Sequence, residues 1–341
     1  MLAQMSGEPQ QQQDGPPPPP WRPDPADLSV LENGCGLIDR SYKGRLTLTG
    51  EDAASLLQGQ VSNDIEALQV GHGCEAGLLT PKGKLLGIVR VLRTGETEFH
   101  LTTDRISLQE LFDTLRRAAV GHSAEIGKAT LETAQLSLVG PKADRIAGIS
   151  DLPQEHMNRQ AMLGGSRVMV VVTDEGVDVI CPTEKQDGVK TALLAAGAVE
   201  GDEAAAQCLR VQAGIPLYGV DINDSTIPQE ADLNHRLVSF TKGCYVGQET
   251  VARLYYRGSP NRILRGLILD DEVTPGTVLT DSDGKEVGVV GSVSAPPGDA
   301  VTALAVVRVE ASPGKILRAA GLEAEVVELP FPVLDSPSGA A

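Results

Sequence analysis

The sequence predicts an α+β protein in which two tandem ferredoxin-like α/β domains precede a small antiparallel β-barrel. Strand and helix patterns alternate from about residue 27 to residue 200, and the second half of this stretch repeats the pattern of the first half. After Arg262 the helical period disappears, and short apolar runs are interrupted by Pro-Gly, Asp-Gly and Pro-Pro-Gly turns. This pattern is typical of a small antiparallel barrel.

The first unit combines an antiparallel sheet with two helices. SYKGRLTLTG alternates apolar and polar residues as a half-buried strand does, and EDAASLLQGQ follows as a short helix. EAGLLTPKGKLLGIVRVLRTGETEFHLTTD predicts three strands separated by two tight turns. ISLQELFDTLRRAAV carries apolar residues at helical spacing, so it predicts a second helix that covers one face of the sheet.

The second unit has elements of the same types. ATLETAQLSLVG predicts a strand, PKADRIAGI a short helix, SRVMVVVTDEGVDVICP a hairpin and EKQDGVKTALLAAGA a helix that ends in glycine. Two such units in tandem indicate a pseudo-repeat of ferredoxin-like halves. We therefore assign residues 27–135 to the first domain, to which residues 206–259 return, residues 136–205 to the second domain, and residues 260–331 to the barrel.

The two ends differ from the body in composition. Residues 1–26 are rich in glutamine and proline and contain little that can be buried. We expect a disordered leader with polyproline II character around Pro16 to Pro20. A docking peptide for a proline-binding domain is the alternative to a solvated leader. Residues 332–341 are predicted to form a flexible tail.

Composition narrows the classes of function. The formal net charge of −17 argues against nucleic acid as a direct partner, because phosphate binding requires a basic surface. The five cysteines include no pair at CxxC spacing, which indicates reduced thiols and not a disulfide framework or a structural metal site. The sequence shows no signal peptide, and no apolar run is long enough to cross a bilayer. We expect a cytoplasmic protein without a membrane partner.

The segment FTKGCYVGQETVARLYYRG contains the strongest candidate for a chemical site, which is Cys244. Gly243 and Gly247 allow a tight loop around this cysteine. A helix that follows the loop and the neighbouring Lys242 would both favour the thiolate. The alternative is that Cys244 is a small packing residue, as many free cysteines are.

The octet KGCYVGQE resembles the hallmark of the YgfZ family of folate-binding proteins, whose mitochondrial relatives serve iron–sulfur cluster assembly. GQVSNDIEAL and LLTPKGKLLG look like the N-terminal segments of that family. LRVQAGIPLYGVDINDSTIPQEADL is similar to a stretch that YgfZ proteins share with the glycine-cleavage aminomethyltransferases. Together these segments cover roughly residues 27–258.

The resemblance implies a ring of two ferredoxin-like domains and a barrel around a central, folate-sized cavity. It implies tetrahydrofolate as the ligand, bound mainly by the first domain, and a role in the assembly, insertion or repair of [4Fe–4S] clusters. The implied partners are iron–sulfur client enzymes and assembly proteins, and any effect on tRNA modification would be indirect. Cys244 would hold a thiol-reactive intermediate or contact a cluster transiently, and we expect its sulfur to open onto the cavity.

Further site residues are expected around these two features. Arg253 would hold the helix through Glu249 or bind a ligand carboxylate, with a solvated surface charge as the alternative. Gln212, Tyr218 and Asp221 would line the pterin side of the cavity. No residue is assigned to a metal. The loop around the reactive Cys244 would be shaped by Lys242, Gly243, Tyr245, Gly247, Gln248 and Glu249.

The chain also departs from the aminomethyltransferases. Leu86 and Gly87 occupy the strand positions where those enzymes would carry a catalytic carboxylate, and Gln212 replaces a glutamate. Without a carboxylate near the pterin, general acid–base help is missing. The shared GIPLYG segment makes a tetrahydrofolate-dependent one-carbon transferase the alternative function, and a scaffold in which Cys244 only packs is a third hypothesis.

Overall fold

The computed structural model describes residues 18–331. The described chain forms two mixed α/β layers and a closed antiparallel barrel, so the predicted fold class is confirmed. Most of the predicted leader and the predicted C-terminal tail lie outside the described residues. Residues 21–26 do not follow the prediction of disorder, because Trp21 bridges to the barrel and a helix starts at Pro25.

The first sheet has five antiparallel strands in the order β3-β4-β5-β2-β6. Its strands are β2 (Gly44–Thr49), β3 (Gly73–Leu79), β4 (Leu85–Gly95), β5 (Glu98–Thr103) and β6 (Glu125–Lys128). Helices α2 (Ala53–Gln60) and α3 (Leu108–Ala118) pack on one face. The predicted spacing of α3 is confirmed, because Leu111 and Leu115 are buried against the sheet. On the other face, Leu92 of β4 packs with Met169, Val171 and Ile180 from later strands.

The second sheet has six strands in the order β11-β1-β7-β10-β9-β8. Its strands are β1 (Gly36–Asp39), β7 (Thr133–Val139), β8 (Asn158–Leu163), β9 (Ser166–Val172), β10 (Gly176–Pro182) and β11 (Val199–Glu200). Helices α4 (Ala143–Ala147) and α5 (Gln186–Ala195) cover its main core. Helices α1 (Pro25–Asn33) and α6 (Glu203–Gln212) form a smaller apolar cluster beside it. Strand β1 therefore joins the second sheet although it precedes the first sheet in the chain.

The barrel closes through pairing of its first and last strands. Its strands are β12 (Arg262–Leu269), β13 (Val278–Thr280), β14 (Glu286–Ser294), β15 (Val301–Arg308), β16 (Ile316–Ala319) and β17 (Leu322–Val327). Small and branched apolar residues fill its interior. Short turns with glycine connect several strands, as the sequence predicts.

A long connection joins α6 to the barrel and contains helices α7 (Asn234–Leu237) and α8 (Gln248–Arg257). It packs against the start of β4 through an apolar cluster that includes Leu85, Leu237, Tyr245 and Val251. This connection carries the segment around Cys244. Among residues 18–331, no helix combines the length and the apolar character needed to span a membrane.

Candidate functional site

A cavity of about 340 Å³ lies between the two sheets. Strand β4 contributes Ile88 and Arg90 to its wall, and β10 contributes Asp178. Helix α6 contributes Arg210, and the loop after this helix contributes Tyr218. The volume is within the range of small-molecule sites. The cavity is therefore the main candidate for ligand binding.

Opposite charges are balanced in the cavity wall, whereas the whole chain is strongly acidic. Burial raises the pKa of Asp178, but the pairing with Arg90 at 2.6 Å and the hydrogen bond from Ser137 outweigh it, so the pKa is lowered overall. The Nε of Arg90 is buried and has no hydrogen-bond partner among residues 18–331. The charged wall residues are Arg40, Lys43, Arg90, Arg105, Arg210, Arg236, Glu75, Asp104, Asp174, Glu175, Asp178 and Glu203.

Arg236, which lies in the connection between α6 and the barrel, pairs with three carboxylates beside the cavity. Its guanidinium lies 3.1 Å from Glu75 of β3, 3.0 Å from Glu155 and 3.2 Å from Asp174. Burial raises the pKa of Glu75, but the charges of Arg236 and Arg90 lower it overall. Glu75 is therefore an ionised hydrogen-bond acceptor in the cavity wall and a poor proton donor.

The structure separates the predicted pterin-lining residues. Tyr218 lines the cavity, and burial raises the pKa of its phenol to about 12. Asp221 is buried behind the wall: it pairs with the wall residue Arg210 at 3.2 Å and accepts hydrogen bonds from Leu217 N at 2.7 Å and from Ser292 N at 2.6 Å. It fastens the connection to the barrel, so the expectation that it lines the cavity is wrong. Gln212 also lies outside the wall, at the last turn of α6.

The two strand positions at which a catalytic carboxylate was expected do not face the cavity. Neither Leu86 nor Gly87 lines the cavity, and a Cβ on Gly87 would lie 2.5 Å from the side chain of Ser107. Ile88 is the residue of this part of β4 that faces the cavity, and it is apolar. Carboxylates are nevertheless present, since Glu75 and Asp178 come from other strands. Their pKa values are lowered and each is ion-paired, which makes them unsuited to general acid–base work at neutral pH.

The predicted KGCYVGQE segment forms a loop that packs on the turn between β3 and β4. Gly247 has φ of 87°, and a Cβ there would lie 2.5 Å from Thr80 O and 3.1 Å from Gly83 Cα. Tyr245 is buried in the apolar cluster behind the cavity. Gly243 has open space around the position of a Cβ. The motif is therefore held by close backbone contact at Gly247 and by burial of Tyr245.

Lys242 does not serve the thiol as expected. Its Nζ is buried and donates to the main-chain oxygens of Gln58, Val61 and Asn63, at 2.7, 2.7 and 2.8 Å. Burial lowers the pKa of this ammonium to about 8. Lys242 therefore ties the loop to the segment after α2, and its charge is directed into the protein.

Cys244 is exposed at the surface and is absent from the cavity wall, so the expectation that its sulfur opens onto the cavity is wrong. Its neighbour Val246 lines a separate surface groove of about 480 Å³ with Thr80 and Pro81. The alternative that Cys244 is a packing residue is also wrong, because the side chain is not buried.

The other four cysteines are buried or partly buried. Burial raises the pKa of Cys35 to about 11 and that of Cys74 to about 12, and it also raises those of Cys181 and Cys208. Within the described part of the chain, Cys244 is the only exposed cysteine. In the same part, no group of three or more His, Cys, Asp or Glu side chains is arranged to hold a metal ion.

An aromatic cluster lies next to the Cys244 loop, where Phe240 meets two tyrosines of helix α8. Phe240 stacks on Tyr255 with ring centroids 3.9 Å apart, and Tyr256 contacts both rings edge to face. Gln248 starts the helix, whereas Glu249 and Arg253 are exposed. The predicted Glu249–Arg253 ion pair does not form between these described residues.

Several wall residues were missed by the sequence analysis, notably Arg90, Asp178 and Arg236. One signal was available for Arg90, because it interrupts the apolar run LLGIVRVL in a strand predicted to be largely buried. Asp178 similarly interrupts GVDVICP. A buried charge in a strand usually needs an opposite charge nearby, but the sequence does not say where that charge is.

Comparison with known proteins places the chain in a family. A model described as the GCVT N-terminal domain matches residues 24–242, which is more than half of the chain. The chain belongs to the GCVT family. This confirms the broader relationship predicted from the GIPLYG stretch, and the narrower assignment to YgfZ proteins is part of the proposal below.

The relatives of this GCVT-family chain include enzymes. A chloroplastic protein of Arabidopsis thaliana with a provisional transferase name is 29% identical over 279 residues; the match covers 79% of this chain and 64% of that protein, less than two thirds of its length. An aminomethyltransferase of Geobacillus kaustophilus is 26% identical over 316 residues, with coverage of 87% and 86%. The crystal structure of the glycine cleavage system aminomethyltransferase T from Bartonella henselae has a TM-score of 0.79, 23% identity and coverage of 89% and 88%, which shows the shared fold.

Proposed function

We propose that this protein is a tetrahydrofolate-binding accessory factor of the YgfZ type, which assists the assembly, insertion or repair of [4Fe–4S] clusters in client enzymes. The observation that supports it best is the separation of two features. The cavity offers ion-paired acceptors, and the wall residues of β4, Ile88 and Arg90, supply no carboxylate, while the exposed thiol of Cys244 lies on another surface. Effects on tRNA modification would follow indirectly, through client enzymes.

The cavity residues fit a folate. The cavity wall contains six cationic and six carboxylate side chains, so it offers hydrogen-bond donors and acceptors to a polar ring. Glu75 is an ionised acceptor suited to an amino-substituted ring. At the exposed edge, Arg105 and Lys43 provide cations for a carboxylate tail. The bound folate would supply a carrier for a one-carbon group.

Cys244 would act outside the cavity. A thiol at the surface can reach a cluster that a client or assembly protein carries as cargo, whereas a buried thiol cannot. The aromatic cluster of Phe240, Tyr255 and Tyr256 lies on the same segment, and exposed aromatic residues are enriched at protein interfaces. We assign this face to contact with iron–sulfur client enzymes and assembly proteins.

Complementation of a deletion strain tests the accessory role. Wild-type protein should restore the activity of [4Fe–4S] enzymes, and Cys244→Ser should fail to restore it although it is present at wild-type level. Gly243→Ala is the matched control, because it lies in the same loop and its Cβ has open space. Full complementation by Cys244→Ser, or normal cluster enzymes in the deletion strain under oxidative stress, would contradict the proposal.

The alternative is a tetrahydrofolate-dependent one-carbon transferase, and similarity to an aminomethyltransferase over 87% of the chain favours it. It predicts that the protein forms methylene-tetrahydrofolate from a small methylated amine. An assay of purified protein with tetrahydrofolate and a panel of methylated amines decides this. Turnover with any of them would support the transferase, and failure with all of them would remove it.

A further inference from the structure

The N-terminal strap, residues 18–24, lies almost entirely before the part of the chain that matches the family model. Trp21 N donates to Val293 O at 2.8 Å, and Ala295 N donates to Trp21 O at 2.9 Å, so the strap pairs with the end of β14. The side chain of Arg22 pairs with Glu272 of the barrel. These contacts give the strap a defined position.

The strap places an indole in the cavity wall. Trp21 lines the cavity together with Gln207 and Arg210 of α6. The same side chain packs against the apolar cluster of α1 and α6, which includes Leu28 and Ala205. The indole is thus supported by the protein, and the same residue borders the space that a ligand would fill.

We propose that Trp21 is a positioning residue of the cavity and that a flat aromatic ring of the ligand stacks against its indole. The inference rests on the proposed folate-binding function. A large, rigid aromatic surface that is already supported by packing loses little freedom when a ring binds to it. The strap would then form one side of the binding site and restrict it to ligands with a planar ring.

The chain is suited to a direct test, because Trp21 is its single tryptophan. Purified full-length protein is titrated with 5-formyltetrahydrofolate, and tryptophan emission is followed beside isothermal titration calorimetry. Emission should change saturably with the midpoint that calorimetry gives. Free N-acetyltryptophanamide, titrated in parallel, corrects for light absorbed by the folate.

Variants separate stacking from general effects on the fold. Trp21→Ala should weaken binding about tenfold, and Trp21→Phe, which keeps a ring, should stay within about threefold of wild type. Arg22→Gln is the matched control in the strap, because it removes a surface ion pair outside the cavity wall. If Trp21→Ala does not fold, as judged by circular dichroism, the wild-type emission titration decides the question.

The outcomes distinguish this inference from the function on which it rests. Binding by calorimetry without an emission change, or with unchanged affinity in Trp21→Ala, would overturn the role of Trp21 and leave folate binding intact. No heat of binding in the wild-type protein would overturn folate binding and the stacking role together. A matched change in emission and a tenfold loss in Trp21→Ala would support both.

Discussion

Replacing Gly247 by alanine should release the Cys244 loop from the turn on which it packs. Gly247 has φ of 87°, where a residue with a Cβ costs about 1–2 kcal/mol. The new Cβ would also lie 2.5 Å from Thr80 O, so backbone must move, and forced overpacking typically costs about 1–3 kcal/mol. Together these effects predict that the free energy of opening the loop falls by about 3 kcal/mol.

Hydrogen exchange followed by mass spectrometry measures this opening in peptides that cover Tyr245 to Arg257. A change of about 3 kcal/mol corresponds to exchange that is roughly a hundredfold faster. Gly243→Ala is the control in the same loop: its Cβ meets nothing within 4 Å and its φ lies outside the left-handed region, so exchange should stay near wild type. Equal exchange in the two variants would refute the argument that Gly247 anchors the motif.

Three further predictions follow from buried or exposed groups. Lys242→Met leaves three main-chain oxygens without their donor, so the free energy of unfolding in urea should fall by about 3 kcal/mol; an unchanged urea midpoint would contradict this. Burial lowers the pKa values of His100 and His156 to about 4, so the unfolded chain binds more protons below pH 6.5. The free energy of unfolding should therefore fall as the pH drops from 6.5 to 4, by about 2 kcal/mol per histidine at pH 5. In urea titrations at several pH values, His100→Gln should show a smaller fall than the wild type. Brief treatment of the folded protein with iodoacetamide should add one label, at Cys244, as read by peptide mass spectrometry; labelling of a second cysteine at a similar rate would contradict the burial of the other thiols.

The parts of the fold that depend on local patterns could be predicted from the sequence. Helix α3 follows from apolar residues at helical spacing, and the barrel follows from short apolar runs between glycine turns. The place of β1 in the second sheet could not be predicted in this way, because its partners β7 and β11 follow it by about a hundred residues or more. Sheet order is set by packing between distant segments, which local periodicity does not encode.

The candidate site was less accessible to sequence reasoning for the same reason. Lys242 is adjacent in sequence to the Cys244 loop, but its ammonium is directed to carbonyls near residue 60. Arg90 finds its carboxylate at Asp178, in the other sheet. Asp221, expected beside a ligand, is held by Ser292 of the barrel. In each case the residue type indicated a need for a partner, and only the fold identifies the partner.

One apolar layer separates the cavity from the Cys244 loop, and this limits how the two can cooperate. Leu85 and Tyr245 belong to this layer, and Ile88 and Tyr218, which pack against it, also line the cavity. A ligand in the cavity therefore does not need to touch the thiol to affect it. Because Cys244 is absent from the cavity wall, a bound ligand can influence its reactivity through the shared packing around Tyr245. A direct reaction between a cavity-bound one-carbon group and this sulfur would require the loop to move, since Cys244 is not a lining residue.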